Sequence, residues 1–218
     1  MKYILFDLDG TLADSSEGIV NCFEYAFRRM GAAPPPRAKL RACIGPPLLD
    51  SFRTFCGGDE AEALRGVRFY RERYGEKGWR ECVLYPGVAE SLARLQAQGH
   101  VLGVATSKPQ RFAERILRGQ GIEGRFTAVV GSREDNSFDD KGDIIREAMR
   151  LLGAPRTQTA MVGDRLHDVA GAKKNGILSV GVYGGFAAPG ELEGAGADFV
   201  AEDFSAACRI AACENFSE

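Results

Sequence analysis

Short, nearly unbroken apolar runs recur along the chain at Tyr3–Phe6, Val101–Thr106, Ala128–Val130, Thr159–Val162 and Leu178–Val182, with a weaker run at Phe199–Val200. Runs that lack polar alternation predict parallel strands buried on both faces. Helical spacing fills the gaps. Val88, Leu92 and Leu95 follow Pro86 and precede Gly99. Ile144, Ile145, Ala148, Met149 and Leu152 form a second stripe that stops at Gly153, and Val169, Ala170 and Ala172 a third that stops near Gly176. Glycine directly after a periodic stripe is a helix stop signal. Strands alternating with helices imply right-handed βαβ units, and hence an α/β chain with a doubly wound parallel sheet.

One stretch breaks the rhythm. Between Asp14 and Leu84 the pattern offers helices and no good strand. Ile19, Phe23, Ala26, Phe27 and Met30 share a helical face behind the polar capping candidates Asp14 and Ser15. Pro34-Pro35-Pro36 must break that helix. Further helices are expected around Arg37–Cys43, Leu48–Phe55 and Glu60–Tyr74, joined through Gly45-Pro46-Pro47 and Gly57-Gly58. The expected organisation is a core of residues 1–13 and 85–218 with a helical insert at 14–84. Arg65, Arg68, Arg71 and Arg73, interleaved with Glu62 and Glu72, read as a solvated helix face.

Composition narrows the function more by exclusion than by suggestion. At 218 residues, with 44% hydrophobic and 27% charged residues, the chain is an ordinary globular one, long enough for one domain carrying an insert. Its net charge of −2 gives no pull towards a nucleic acid polymer or an acidic membrane. The first apolar run is interrupted by Asp7 and Asp9 too early for a signal peptide, and no run is long enough to span a bilayer, so a cytoplasmic protein is expected. Cys22, Cys43, Cys56, Cys82, Cys208 and Cys213 lack the paired spacing of a zinc site. With only His100 and His167 as histidines, chemistry built on a Ser-His or Cys-His pair is disfavoured. The carboxylates are the place to look.

The first strand ends in Phe6-Asp7-Leu8-Asp9-Gly10-Thr11-Leu12. Open α/β sheets bind ligands beyond the carboxyl ends of their strands. Aspartates two apart on an extended chain point the same way, which is costly unless a cation or a proton is shared. A hard divalent ion with oxygen ligands, such as magnesium, is the cheapest resolution; a pair of solvated turn aspartates is the alternative reading. Three later features favour the first. Gly163-Asp164 follows the strand at Thr159–Val162, with Asp168 four residues on. Thr106-Ser107 closes the strand at Val101–Ala105 with hydroxyls and amides suited to an oxyanion. Lys141 opens a helix, where its cation can meet a phosphoryl group.

In this order the motifs Asp-Leu-Asp-Gly-Thr-Leu, strand–Thr, Lys and Gly-Asp-x-x-x-Asp resemble the haloacid dehalogenase-like hydrolase superfamily over essentially the whole chain. The resemblance implies a Rossmann-like core with an inserted α-helical cap. Ile44-Gly45-Pro46-Pro47-Leu48, Tyr85-Pro86-Gly87-Val88 and Gly181-Val182-Tyr183-Gly184-Gly185 bring it nearest to phosphoglycolate phosphatases and bacterial 5′-nucleotidase-like phosphatases, the first segment favouring the nucleotidase branch. It further implies that Asp7 is a nucleophile forming an aspartyl phosphate and Asp9 the acid and then the base. Magnesium is then held by Asp7, the Asp9 carbonyl and Asp164, with Asp168 a ligand through water or from just outside. Thr106, Ser107 and Lys141 hold the phosphoryl oxygens. Lys108 competes with Lys141 for that last role, because Lys141 is followed by Gly-Asp rather than Pro; Lys141 is preferred because Lys108 adjoins motif residues already in use.

The expected reaction is hydrolysis of a small phosphorylated metabolite, a 5′-nucleotide or a phosphoglycolate-like ester, by a monomer or homodimer. Asp9 favours phosphate esters over halide displacement, which needs no proton donor. A phosphomutase of the same fold and, further off, a non-catalytic phosphate-sensing module are the alternatives. Arg37, Lys39, Arg41 and Arg53 in the cap are candidates to meet an anionic substrate, although each alone reads as a surface charge. His167 reads as accessory, and Lys173 and Lys174 as solvated.

Overall fold

The structure is a computed structural model and describes residues 1–135 and 137–213. The chain divides into two units, Met1–Asp14 with Leu84–Glu218, and Ser15–Val83. The junctions fall one residue later and one residue earlier than the sequence suggests.

The larger unit is built on six parallel strands: β1 (Tyr3–Phe6), β2 (Val101–Pro109), β3 (Ala128–Ser132), β4 (Thr159–Gly163), β5 (Leu178–Val182) and β6 (Phe199–Ala201). Their spatial order is β3-β2-β1-β4-β5-β6. Chain order therefore reverses at β1, which pairs with β2 on one side (Tyr3↔Val101) and β4 on the other (Tyr3↔Thr159). The gap outside the carboxyl ends of the strands at such a reversal is where doubly wound sheets bind ligands.

Both faces of the sheet are dry, which is why the strands lack alternation. On one face Leu5, Ala105, Val130 and Met161 pack with Ile144, Ile145, Ala148 and Met149. On the other, the Phe6 ring lies 5.5 Å from Phe204 and 6.4 Å from Phe126.

The smaller unit holds four α-helices, α1 (Ser16–Met30), α2 (Arg37–Arg41), α3 (Leu48–Phe55) and α4 (Glu60–Glu76), and a short 3-10 helix at Gly78–Arg80. Ser15 stands at the N-cap of α1, but its side chain makes no capping bond. That helix also ends before the prolines reach it: Gly31 takes a left-handed conformation directly after Met30 and closes the last turn. Arg73 departs from the expected solvated face. It makes a two-pronged pair with Glu81 and is only 18% exposed.

An aromatic cluster holds this unit together. The fully buried Phe52 ring lies 5.1 Å from Phe23 and 5.8 Å from Phe27, and Phe23 lies 5.1 Å from Tyr70. Truncating a buried phenylalanine removes transfer energy and leaves a cavity. Phe52→Ala is expected to lower the unfolding free energy by about 3–5 kcal/mol, read from the urea midpoint at unchanged m-value.

The core helices are α5 (Val88–Ala97), α6 (Gln110–Gly119), α7 (Lys141–Leu152), α8 (Leu166–Asn175), α9 (Glu191–Gly194) and α10 (Phe204–Ala212). Three of them, α6, α9 and α10, are not among the helices expected from the sequence. α6 nevertheless has helical spacing, with Phe112, Ala113, Ile116 and Leu117 buried on one face and Arg111, Glu114, Arg115 and Arg118 among the rest. Two-residue strands at Ala13–Asp14 and Val83–Leu84 also lie where no strand was expected. None of the described helices is long and apolar enough to cross a membrane.

Candidate active site

β1 delivers Asp7 to the point of chain reversal. The Asp7 N–H donates to the Val162 carbonyl at 3.0 Å, continuing the pairing with β4 one residue past the strand. The chain then turns sharply: Leu12 and Ala13 both donate to the Leu8 carbonyl, and Gly10 N–H to the Ala13 carbonyl. Gly10 has φ +85°, and a Cβ there would fall 2.1 Å from Asp164 Oδ2. Only glycine meets both demands, a left-handed backbone and a carboxylate pressed against it.

β4 ends at Gly163 and delivers Asp164, which is fully buried. Thr11 Oγ1 donates to its Oδ1 at 3.2 Å and the Phe186 N–H to its Oδ2 at 2.7 Å. Asp168, in the first turn of α8, accepts the Arg165 N–H at 3.0 Å. Carboxylate oxygens of Asp7, Asp164 and Asp168 all lie within 4.8 Å of one another.

α7 contributes Lys141, whose Nζ sits 2.9 Å from Asp7 Oδ1 and 2.7 Å from Asp168 Oδ1. Lys108 Nζ lies 2.8 Å from Asp9 Oδ2. Thr106 is buried with Oγ1 accepting the Lys108 N–H at 3.2 Å, whereas Ser107 is exposed and its carbonyl accepts from Ser132 Oγ at 2.8 Å. Both lysines are therefore at the site, engaging different aspartates.

Charge crowding leaves a clear signature. Burial pushes the Asp164 carboxyl well above its usual range, and the Asp168 and Asp7 charges push it further. Burial likewise raises Asp168 to about 6, against the opposing pull of Lys141. Burial alone works against the Lys141 ammonium, but Asp168 and Asp7 more than offset it and hold it firmly protonated. A cluster of three buried acids with one ammonium between two of them has negative charge to spare. Its donors are all carboxylate oxygens, the set a hard divalent cation such as magnesium prefers.

Other candidates lie outside this cluster. Burial and the Arg165 and Lys141 charges lower the basicity of half-buried His167. Lys173 donates to the Ala195 carbonyl, and Lys174 pairs with Asp140 and Asp143. In the helical unit Arg37 pairs with Glu17 and Glu24, Arg53 with Asp50 and Glu60, and Arg41 donates to Ser16 Oγ. All six cysteines are free thiols.

The motifs assign no role to some supporting groups. The Phe186 amide and Thr11 hydroxyl that hold Asp164 are two. A third is Glu191, which accepts from Arg165 Nε at 2.7 Å and from the Leu166 and Ala188 amides, tying the segment after β5 to the start of α8. The sequence signal available is the Gly184-Gly185 pair after β5: a Cβ on Gly185 would fall 2.4 Å from Asp164 Oδ2.

The profile of the family described as haloacid dehalogenase-like hydrolase matches residues 4–182. The chain belongs to this family. A relative from Pseudomonas aeruginosa, named 5′-nucleotidase, is 42% identical over 189 residues, covering 87% of this chain and 86% of the relative. A second, named tyrosine-protein kinase PtkA, from Mycobacterium tuberculosis, is 39% identical over 185 residues; the match covers 85% of this chain but 63% of that longer protein. Among solved structures, one described as a predicted phosphatase from Clostridium acetobutylicum superposes with a TM-score of 0.86 at 39% identity, covering 91% of this chain and 92% of its own. The α/β fold with its parallel six-stranded sheet is thus the family's fold.

Proposed function

We propose that this chain, a phosphatase of the haloacid dehalogenase-like family, hydrolyses a small phosphate monoester with magnesium through an aspartyl phosphate on Asp7. The observation that carries the reading is Asp7 itself, at the chain reversal beyond β1, beside Lys141 and within 4.8 Å of the Asp164 and Asp168 carboxylates. In this scheme an Asp7 oxygen attacks phosphorus while the ester P–O bond breaks, and Asp9 gives its proton to the departing oxygen. Asp9 then takes a proton from water as that water attacks phosphorus, the P–O bond to Asp7 breaks, and inorganic phosphate is released. Asp7, the Asp9 carbonyl, Asp164 and Asp168 would hold magnesium, which when bound supplies positive charge to the phosphoryl oxygens. Lys141 and the Thr106 hydroxyl are assigned to the same oxygens, and Ser107, whose side chain faces out, is assigned to them through its backbone amide.

A 5′-nucleotide or a phosphoglycolate-like ester is the proposed substrate, the former supported by the name of the Pseudomonas aeruginosa relative. Phosphate release with magnesium across a panel of nucleoside 5′-monophosphates, phosphoglycolate and sugar phosphates tests this. The expected result is release from a 5′-nucleotide or phosphoglycolate. Conversion of a sugar phosphate to its isomer with little phosphate release would replace hydrolysis with the mutase reading.

A further inference from the structure

We infer that Lys108 positions the Asp9 carboxyl group for proton transfer, an inference that rests on the acid–base role proposed for Asp9. Lys108 Nζ lies 2.8 Å from Asp9 Oδ2, with the lysine side chain 5% exposed and that of the aspartate 17%. The backbone around Asp9 is already fixed by the bridge to Ala13 and by the Gly10 bond to the Ala13 carbonyl. The carboxyl group retains two side-chain torsions, and a buried charged hydrogen bond to one of its oxygens restrains both. Proton transfer is sensitive to such restraint, because a small misplacement of the acid lengthens the path to the departing oxygen.

The fold aims Lys108 at this point. β2 and β3 run in register as far as Ala105↔Val130 and resume at Pro109↔Ser132. Thr106, Ser107 and Lys108 therefore stand opposite Gly131 alone, and this irregularity re-aims the strand's side chains. Thr106 and Lys108 turn inward while Ser107 faces out. The distortion is held from both sides. Ser132 Oγ donates to the Ser107 carbonyl at 2.8 Å, the Lys108 N–H donates to Thr106 Oγ1, and a Cβ on Gly131 would lie 2.6 Å from the Lys108 carbonyl oxygen.

The two buried ammonium groups divide the acids between them. Lys141 takes Asp7 and Asp168, and Lys108 takes Asp9. The rival assignment makes Lys108 another ligand of the phosphoryl oxygens. The two differ in what removal of the lysine does to different leaving groups.

The test measures kcat/KM with magnesium for phenyl phosphate and 4-nitrophenyl phosphate in Lys108→Met and in Lys108→Gln, the second guarding against a misfolded first. This ratio reports formation of the phosphoenzyme, the step in which Asp9 acts as acid, and 4-nitrophenolate leaves with little need of a proton. The expected result is a fall of about 100-fold for phenyl phosphate but about tenfold or less for the nitrophenyl ester, with inhibition by inorganic phosphate unchanged. In an Asp9→Asn background, Lys108→Met is expected to add little, since the group it positions is gone. Equal losses for both esters with weakened inhibition by inorganic phosphate would overturn the inference and return Lys108 to the phosphoryl cradle. So would full additivity with Asp9→Asn. Activity surviving in Asp7→Asn would instead overturn the covalent mechanism beneath it, a result separable from these because it leaves Lys108 untouched.

Discussion

Asn in place of Asp7 is expected to reduce phosphate release by about 10⁴-fold or more. The amide keeps the shape of the side chain but offers no anionic oxygen to attack phosphorus. The loss is not expected to come from misfolding. Asp7, Asp164 and Asp168 crowd their oxygens within 4.8 Å, so replacing one of the three with a neutral group relieves repulsion. Lys141 keeps its 2.7 Å contact with Asp168. The metal-free variant should therefore unfold at the same temperature as the parent chain or higher, even as activity disappears. Phosphate release above about a hundredth of the parent rate in this variant would rule out covalent catalysis at Asp7, since loss of a nucleophile costs far more than that.

Magnesium is expected to stabilise the chain against heat, and more strongly at pH 8 than at pH 5. The sign follows from the two buried acids. Asp164 and Asp168 both have carboxyls raised above the unfolded value of about 3.9, Asp168 to about 6. Between those limits the folded chain binds more protons than the unfolded one, so stability falls as pH rises through the window. Above about 6 the metal-free fold carries the whole cost of the ionised Asp168. A bound divalent cation offsets that cost. At magnesium near 100 times its dissociation constant the gain is about 2.7 kcal/mol, or about 5–10 °C in Tm for a chain of this size. Asp164→Asn is expected to raise the Tm of the metal-free protein at pH 8 and to remove most of the magnesium increment. Thermal unfolding with and without magnesium at the two pH values checks both. A shift that is equal at pH 5 and pH 8 would separate metal binding from these carboxyls.

How much of the candidate site is legible in the sequence depends on distance along the chain. Asp7 and Asp9 were legible because they end an apolar run, and Asp164 because it ends another. The contact between Lys141 and Asp7 was not. It spans α7 and the end of β1, and the sequence supplies only a lysine at a helix start. Lys108 and Lys141 read as rivals for one role in the sequence, yet they contact different aspartates in the structure. That division follows from the irregular pairing of β2 with β3, which no local pattern encodes. Ser107, grouped with Thr106 by adjacency, faces away from it in the strand because neighbouring residues alternate sides.

By itself the sequence determined the α/β class, the parallel sheet, the helical insert after the first strand and the family. These rest on near-neighbour information: unbroken apolar runs, helical stripes with glycine stops, and motifs a few residues long. Only the tertiary structure decided that chain order reverses at β1, that Phe186 and Thr11 together hold Asp164, and which ammonium faces which carboxylate. The reason is physical. Strand order and register are set by the packing of two dry sheet faces against helices distant in sequence, and a buried side chain points where that packing leaves it room and a partner.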